Sequence, residues 1–469
     1  MTEGAIAVLD VGKTLSKLTL WDAAGALLAR RTRRNPAVDL DGWAVLDSAE
    51  IEGWLAATLS DFAALAEIGA IVPVGHGAAA AILRDGTLAM PPLDYEQPLP
   101  ADGYDAQRDD FARTGSPRLP GGLNIGAQLD ALEARDGRLP DDAVILPWAQ
   151  YWAWVLSGVA ASEVTSLGCH TDLWCPAANA PSELALRRGW AAKLAPLRKA
   201  GDVLGPLTPA WVARTGLSTA VRVYCGLHDS NAALLAARGF PQIADREATV
   251  LSTGTWFVAM RSPGDGAPVA LPAARDCLVN VDVHGKPIPS ARWMGGREAE
   301  RLLGTDTRDG DRATAPPADA VAKILRDRIM LLPSFAPGTG PFPAATGRWL
   351  GGEPADPALR RAVVYLYLAL VTDAALELIG TRERLVIEGR FAEAESFVRA
   401  LAALRPDLAI HTANSHNDVS YGARRLLQPD LPPLSALTLA EPLAQDLTDY
   451  RTRWRCETDG ASHFEARFS

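Results

Sequence analysis

The chain of 469 residues is poor in cysteine: Cys169, Cys175, Cys225, Cys277 and Cys456 are odd in number and form no C-x-x-C pair. That pattern argues against a disulfide framework and fits reduced thiols in a cytoplasm. Cys169, His170 and Cys175 lie close together, but a zinc site would need a fourth ligand that the neighbourhood lacks. Basic excess is missing too. With 46 Lys and Arg against 56 Asp and Glu the net charge is -10, which argues against nucleic acid as a main partner, since phosphate backbones are bound by surplus cations. No window approaches the roughly 18 apolar residues of a membrane span. The first residues show no basic region, and the apolar run Ala5 to Leu9 is too short for a signal peptide. What remains is 48% apolar and 22% charged, enough chain for two domains with separate cores.

What is present begins at Ala5 to Asp22, AIAVLDVGKTLSKLTLWD. Ala5 to Leu9 is apolar, Gly12 makes a tight turn, and Leu18, Leu20 and Trp21 carry the chain back, so Asp10 stands where strand becomes turn. Amide groups of such a turn form an anion nest, Lys13 and Thr14 add donors, and Asp10 can hold a hydrated Mg2+ beside the same phosphate. An ordinary hairpin meets the same spacing. Ala248 to Met260, ATVLSTGTWFVAM, repeats the layout, with Val250, Leu251, Ser252 and Gly254 where Val8, Leu9, Asp10 and Gly12 stand. Two related halves, each offering a glycine turn to one cleft, are the plan of the actin, hexokinase and heat-shock ATPase superfamily, so the repeat argues for a shared phosphate site. Gly12-Lys13-Thr14 also ends like a Walker A loop, but the glycine that such a loop needs earlier is Ala7.

Between the hairpins the spacing predicts a helix over Ser48 to Leu65, capped by Ser48 and lying on the first sheet. Arg30 to Arg34, RRTRR, reads as a solvated strand end in so acidic a chain. Gly75, Gly77 and Ala80 match a G-x-G-x-x-A dinucleotide fingerprint, with Asp94 and Glu96 further on. That fingerprint must open a helix, and Asp85-Gly86 leaves only Ala78 to Arg84 for it; a strand there removes the reading. Residues 99 to 126 read as an extended loop, Gly126 to Arg135 as a short helix, and Ala143 to Leu156 as an aromatic helix opened by Pro147. Ser162 to Pro176 reads as a polar loop with Glu163, Thr165, His170 and Asp172, a candidate substrate wall. Val221 to Asn231 runs from strand through Gly226 to Asp229 at a helix start. Asp229 can be a plain N-cap, or a carboxylate that accepts a substrate hydroxyl proton. Later come a strand, glycine turn and helix from Pro289, a helix over Arg361 to Ile379, a strand, Gly389 and helix, and a weakly patterned tail after Pro429.

Together these motifs make the chain resemble the FGGY carbohydrate kinases over nearly its whole length, nearest the rhamnulokinase and fuculokinase branch. The family's D-x-G-T-T-x-x-R-like turn is matched by Asp10, Gly12, Thr14 and Lys17, with Lys13 for the usual hydroxyl residue and Lys17 for the usual arginine. Its sugar-contacting H-G is matched by His76-Gly77, and its acidic position after the next proline strand by Asp94-Tyr95-Glu96. Its catalytic aspartate, in a G-x-x-D-x-x-A-A-like motif, falls on Asp229 within GLHDSNAA, and its second phosphate loop is similar to Ser252-Thr253-Gly254-Thr255-Trp256. A G-G-G-x-S under the adenosine becomes Gly389-Arg390-Phe391, and a later G-A-A becomes Gly422-Ala423-Arg424.

The resemblance implies an α/β fold of two related actin-like (ribonuclease H-like) ATPase domains with a cleft between them. Residues 1–243 would carry the sugar site and base, and 244–469 the nucleotide site. It implies an ATP-dependent kinase for a ketose such as L-rhamnulose or L-fuculose. Asp229 would be the base, with Mg2+ near Asp10. Gly12, Lys13, Thr14, Lys17, Gly254, Thr255, Gly389 and Arg390 would hold ATP, and His76, Gly77, Glu96, His170 and His228 the sugar. Phosphoryl transfer asks mostly for positioning and electrostatics, which such a set supplies. The expected partner is the small sugar, with neither nucleic acid nor membrane; a homodimer is left open. Two other functions stay open: a nucleotide-binding regulator that has lost transfer, motivated by the altered adenosine loop, and an NAD-dependent oxidoreductase at Gly75 and Gly77.

Overall fold

The computed structural model describes residues 4–100, 102–262, 270–304, 318–413 and 418–465, and the chain in it divides into two units. The first comprises Met1–Gly239, Leu278–Ile288 and Asn417–Leu434, the second Phe240–Cys277, Pro289–His416 and Ser435–Ser469. Later stretches are thus interleaved with the first unit.

The first unit is built on strands β1 (Ala5–Val11), β2 (Leu15–Trp21), β3 (Leu27–Arg34), β4 (Ile68–Gly75), β5 (Val203–Pro206), β6 (Arg222–Tyr224) and β7 (Leu227–His228). Their order is β5-β6-β4-β1-β2-β3, with β7 also pairing β4. β1, β6 and β7 all run parallel to β4. Alternation along β1 creates two faces. Ala5, Ala7, Leu9 and Val11 enter the core with helices α1 (Ser48–Ala63) and α2 (Trp148–Ser157). Ile6 and Val8 lie with helix α3 (Asp229–Ala237) and the helix Val419–Arg425. Asp10 continues the second series, and so does its cross-strand partner Lys17. β3 is the sheet edge and carries Arg30, Arg31, Arg33 and Arg34; charge on an edge strand blocks pairing with another chain.

Several local expectations change. After Gly77 comes a strand, Ala80–Arg84, paired antiparallel with Thr87–Met90 and Val144–Pro147, so the dinucleotide fingerprint opens no helix and the NAD-dependent reading falls. Pro147 closes that last strand instead of opening a helix, and α2 starts at Trp148. α1 is capped by Asp47, whose carboxylate accepts from the Glu50 amide at 3.0 Å; Ser48 is already helical. Residues 99–126 contain two short helices, Asp102–Asp105 and Phe111–Thr114. Ser162 to Pro176 is buried throughout, folded into short strands around a helix, Val164–Leu167. Several of its polar groups find partners inside the protein, within the stretch or beyond it, which polarity alone does not reveal. Asp172, for example, accepts from Tyr104 Oη at 2.5 Å and from Arg108 Nε at 2.9 Å.

A second seven-stranded sheet carries the second unit. Its strands are β8 (Ala248–Thr253), β9 (Phe257–Ser262), β10 (Cys277–Val281), β11 (Pro287–Trp293), β12 (Arg384–Gly389), β13 (Ala409–Thr412) and β14 (Thr438–Leu439), in the order β10-β11-β9-β8-β12-β13-β14. β8, β12 and β13 are parallel, as β1 and β4 are in the first unit. Helices α4 (Gly295–Leu303), α5 (Pro357–Leu378) and α6 (Glu395–Leu404) contribute to its core. α5 starts at Pro357 behind the Asp356 cap and is buried along most of its length. The tail holds a helix, Thr448–Glu465, anchored where Tyr450 donates to the Ile329 carbonyl at 2.8 Å and Trp454 to the Leu331 carbonyl at 2.7 Å. Those apolar anchors are separated by charged residues, which is why the pattern reads as weak.

Candidate active site

Register brings three strand ends of the first unit level. Asp10 pairs Val74 and Val11 pairs Gly75 on one side of β4, while Leu227 pairs Val74 and His228 pairs Gly75 on the other. Asp10, His76 and Asp229 therefore leave the carboxyl ends of adjacent parallel strands, the place where open α/β sheets bind ligands. Trp148 fixes the end of β1, its indole N–H donating to the Val11 carbonyl at 3.1 Å. Gly226, with φ of 76°, makes the step from β6 to β7, and a Cβ there would lie 2.0 Å from the Pro73 carbonyl oxygen.

The glycine turn after β1 is held at both ends. Gly12 N donates to the Leu15 carbonyl at 3.0 Å, and the Asn35 amide donates to the Gly12 carbonyl at 2.8 Å. Thr14 is exposed at the tip. Lys13 pairs with the buried Asp94 and stands 3.7 Å from Glu96, so it ties the turn to the Asp94–Glu96 segment. Glu96 itself is half exposed. Lys17 Nζ lies 3.2 Å from Asp10 and 3.2 Å from Asp418, and Arg30 adds a contact to Asp418 at 3.1 Å. Burial pushes the Asp10 carboxyl up to about 6, with Lys17 pulling it down and Asp229 pushing it up again. Burial alone would lower the Lys17 ammonium, yet Asp10 and Asp418 hold it above its usual value. For Asp418 burial is likewise outweighed, and Lys17, Ser420 and Arg30 keep it below the usual carboxylate range.

Two imidazoles, His76 and His228, stand in the loop and strand ends that lead to Asp229. His76 is buried, and burial pushes its imidazolium down to about 4, so the ring is neutral near pH 7. The Ala78 amide donates to His76 Nδ1 at 3.3 Å, which assigns the ring proton to Nε2, a buried atom without a partner among the described residues. Gly77 sits so close that a Cβ would come 2.6 Å from Cys169 Sγ and 3.0 Å from His228 Nε2. His228 Nε2 is 3.1 Å from Asp229 Oδ1, which also accepts from the Ser230 amide at 2.6 Å. His228, not Asp229, is the N-cap residue of α3, so Asp229 opens the first turn. His170 is buried, with Nδ1 2.7 Å from the Leu123 carbonyl.

In the second unit the turn after β8 is drawn tight by Gly254 N donating to the Trp256 carbonyl at 2.9 Å. Two backbone segments close on it. Gly389, with φ of 84°, is so near that a Cβ would lie 2.3 Å from the Thr253 carbonyl oxygen. At the start of α4, a Cβ on Gly296 would lie 2.0 Å from the Gly254 carbonyl oxygen, and Arg297 N reaches the Thr255 carbonyl at 3.4 Å. Thr253 Oγ1 donates to the Glu388 carbonyl at 2.6 Å and accepts from Phe391 N at 2.9 Å. Arg390 pairs with Glu300 at 2.9 Å and lies over the Phe391 ring. A glycine loop and a glycine-rich helix start crowd one turn, giving the kind of small-residue backbone surface that polyphosphates approach.

Asn35, Trp148 and Asp418 shape these sites and were not singled out by the sequence. Only Asp418 carried a signal, a capping residue directly ahead of a helix. Among the described residues no group of three His, Cys, Asp or Glu could hold a metal ion. The donor set does fit Mg2+ arriving with a nucleotide, held through one or two carboxylates and the phosphates. Asp10 is a partly buried carboxylate, 15% exposed, whose charge stays under-compensated even beside Lys17. No helix among the described residues is long and apolar enough to cross a membrane.

Comparison with known proteins agrees with this architecture. Residues 245–433 match the family model for the carbohydrate kinase FGGY C-terminal domain. A crystal structure of a carbohydrate kinase from Novosphingobium aromaticivorans is 56% identical, covering 96% of this chain and 100% of that one, with a TM-score of 0.88. Xylulose kinase from Rhodospirillum rubrum (17% identity, 99% of each chain, TM-score 0.77) and gluconate kinase from Lactobacillus acidophilus (15%, 99% of each, 0.78) share the fold. No curated protein matches in sequence. On the extent and identity of the first of these matches, the chain belongs to the FGGY carbohydrate kinases, phosphotransferases of the two-domain actin-like α/β fold.

Proposed function

We propose that the protein transfers the γ-phosphoryl group of ATP to a hydroxyl of a ketose, L-rhamnulose or L-fuculose being the first sugars to try. The observation that carries this is the level exit of Asp10, His76 and Asp229 from adjacent parallel strands. Asp229 Oδ1 is held by Ser230 and His228, which leaves Oδ2 for the acceptor hydroxyl and its proton. The neutral His76 ring offers Nε2–H to a sugar oxygen, and its burial supplies a reason for that donor to seek one. Lys17, Gly12 and Thr14 in the first unit, and Gly254, Thr255, Gly389 and Arg390 in the second, are the groups we assign to ATP. Mg2+ bound with the nucleotide beside Asp10 would neutralise charge on the phosphates. Glu96 and His170 are assigned to the rim and wall of the sugar site. None of the five cysteines is in a disulfide, which fits a reducing, cytoplasmic setting.

The test is ADP release with Mg-ATP over a panel of ketoses, aldoses, aldonic acids and polyols, with Asp229→Asn alongside. Turnover on one ketose, lost in the variant, is the expected result. ATP binding without turnover on any acceptor would sink the kinase reading and leave a nucleotide-binding regulator.

A further inference from the structure

We propose that Glu163 and Thr165 are positioning residues for Asp229, acting through the His228 peptide. The inference rests on the reading of Asp229 as the base and adds to it a buried support that the sequence had marked only as a possible substrate wall.

Glu163 and Thr165 are both fully buried. Glu163 Oε2 accepts from the Thr165 amide at 3.0 Å, from the Ser166 amide at 3.2 Å and from the Thr165 hydroxyl at 2.5 Å. A hydroxyl has one proton. Given to the carboxylate, it leaves the Thr165 oxygen only as an acceptor, and the His228 amide donates to that oxygen at 3.0 Å. The acceptor is therefore oriented by the Glu163 oxygen rather than free to rotate. His228 in turn is the end of β7, the N-cap of α3 and, through Nε2, a neighbour of Asp229 Oδ1 at 3.1 Å. A line of carboxylate, hydroxyl, peptide and imidazole thus ends on the base.

The cost of this arrangement argues that it is not mere packing. Glu163 Oε1 is buried without a partner among the described residues, and burial pushes the carboxyl up to about 7 against the pull of Thr165 and Ser166. A helix cap of four residues could be made by a neutral side chain without that burden. The hydroxyl is aimed because Glu163 Oε2 faces it as an acceptor, a role that a side chain without an oxygen at that place could not fill.

Thr165→Val keeps shape and removes both roles of the hydroxyl; Thr165→Ser keeps them. We expect kcat to fall about ten- to a hundred-fold in the valine variant, as misplacement of a catalytic group does. KM for ATP should stay within about two-fold, since ground-state binding is untouched. Serine should recover most of the loss. If the valine variant does not fold, Thr165→Ala, which removes the same hydroxyl in a smaller side chain, decides: kcat should fall while KM for ATP stays within about two-fold. Full activity in Thr165→Val, or in Thr165→Ala where valine does not fold, would overturn the positioning role, and so would a loss that serine does not recover and that follows the melting temperature. Turnover retained by Asp229→Asn would instead overturn the base assignment, and with it this support's purpose.

Discussion

Two residues before its turn glycine, β1 carries Asp10 opposite Lys17; at the same place β8 carries Ser252 opposite Val258. The frames match further. Val11 faces Gly75 on the neighbouring parallel strand, and Thr253 faces Gly389 in the same way. One backbone plan has thus been given two chemistries. The first turn is surrounded by charge, with Lys17 shared between Asp10 and Asp418 and Lys13 drawn to Asp94. The second is held by a threonine hydroxyl and by close backbone, with no ionised side chain in its own strand pair at Ser252 and Val258. Where charge is buried, function and pH sensitivity should concentrate; where backbone is crowded, stability should.

The sharpest break of that comparison is Asp229→Asn. If the charged side does the chemistry, kcat should fall about 10²- to 10⁴-fold while ATP binding, measured by calorimetry, is nearly unchanged. A comparable loss from Thr253→Val would remove the distinction. On the backbone side Gly389→Ala should be the most damaging, since it combines a positive φ with a Cβ 2.3 Å from a carbonyl oxygen; we expect about 3 kcal/mol of lost stability. Thr253→Val removes one donor and one acceptor contact and leaves Phe391 N without its partner, which should cost about 2 kcal/mol in thermal or urea unfolding.

Asp10→Asn tests the charged side by pH. The folded carboxyl sits near 6 against an ordinary 3.8, so the fold prefers the protonated form. Its stabilising contribution is fully present below pH 4 and is lost as pH rises through 6. Asparagine, which carries no charge, should therefore stabilise the protein at pH 8 by about 1–2 kcal/mol, discounting the full shift because Lys17 loses a partner. At pH 4 the difference should vanish. Ser252→Ala at the matching place should show no such slope.

Both turns were legible in the sequence because a glycine between apolar alternation is a local signal. The repeat was legible because Ala248 to Met260 copies the opening layout. What joins the turns to their surroundings was not. Asp418 meets Lys17 across 401 residues of chain, and Trp148 meets Val11 across 137, and no period or spacing encodes such a contact. The buried Ser162 to Pro176 stretch failed for a related reason: its polarity suggested solvent, whereas Glu163, Thr165 and Asp172 use that polarity on one another and on neighbours. Asp47 and Ser48 are both residue types that cap, and a one-residue shift in a helix start is invisible to periodicity.

The smallest stability effect belongs to Gly254, and it separates steric need from ligand need. A Cβ there would have its nearest neighbour, the Trp256 carbonyl oxygen, at an ordinary 3.8 Å, whereas at Gly12 the Leu15 carbonyl oxygen would stand at 3.0 Å. Gly254→Ala should accordingly change stability by less than about 0.5 kcal/mol, or raise it slightly by restricting the unfolded chain. Gly12→Ala should cost about 1 kcal/mol because a backbone atom must give way. If the open side of Gly254 is where a phosphate approaches, the same alanine should raise KM for ATP about five-fold, close to 1 kcal/mol of binding, while the melting temperature stays put. An unchanged KM would mean that the second turn keeps its glycine for inheritance of the fold alone, and the nucleotide would have to be sought nearer Gly389 and Arg390.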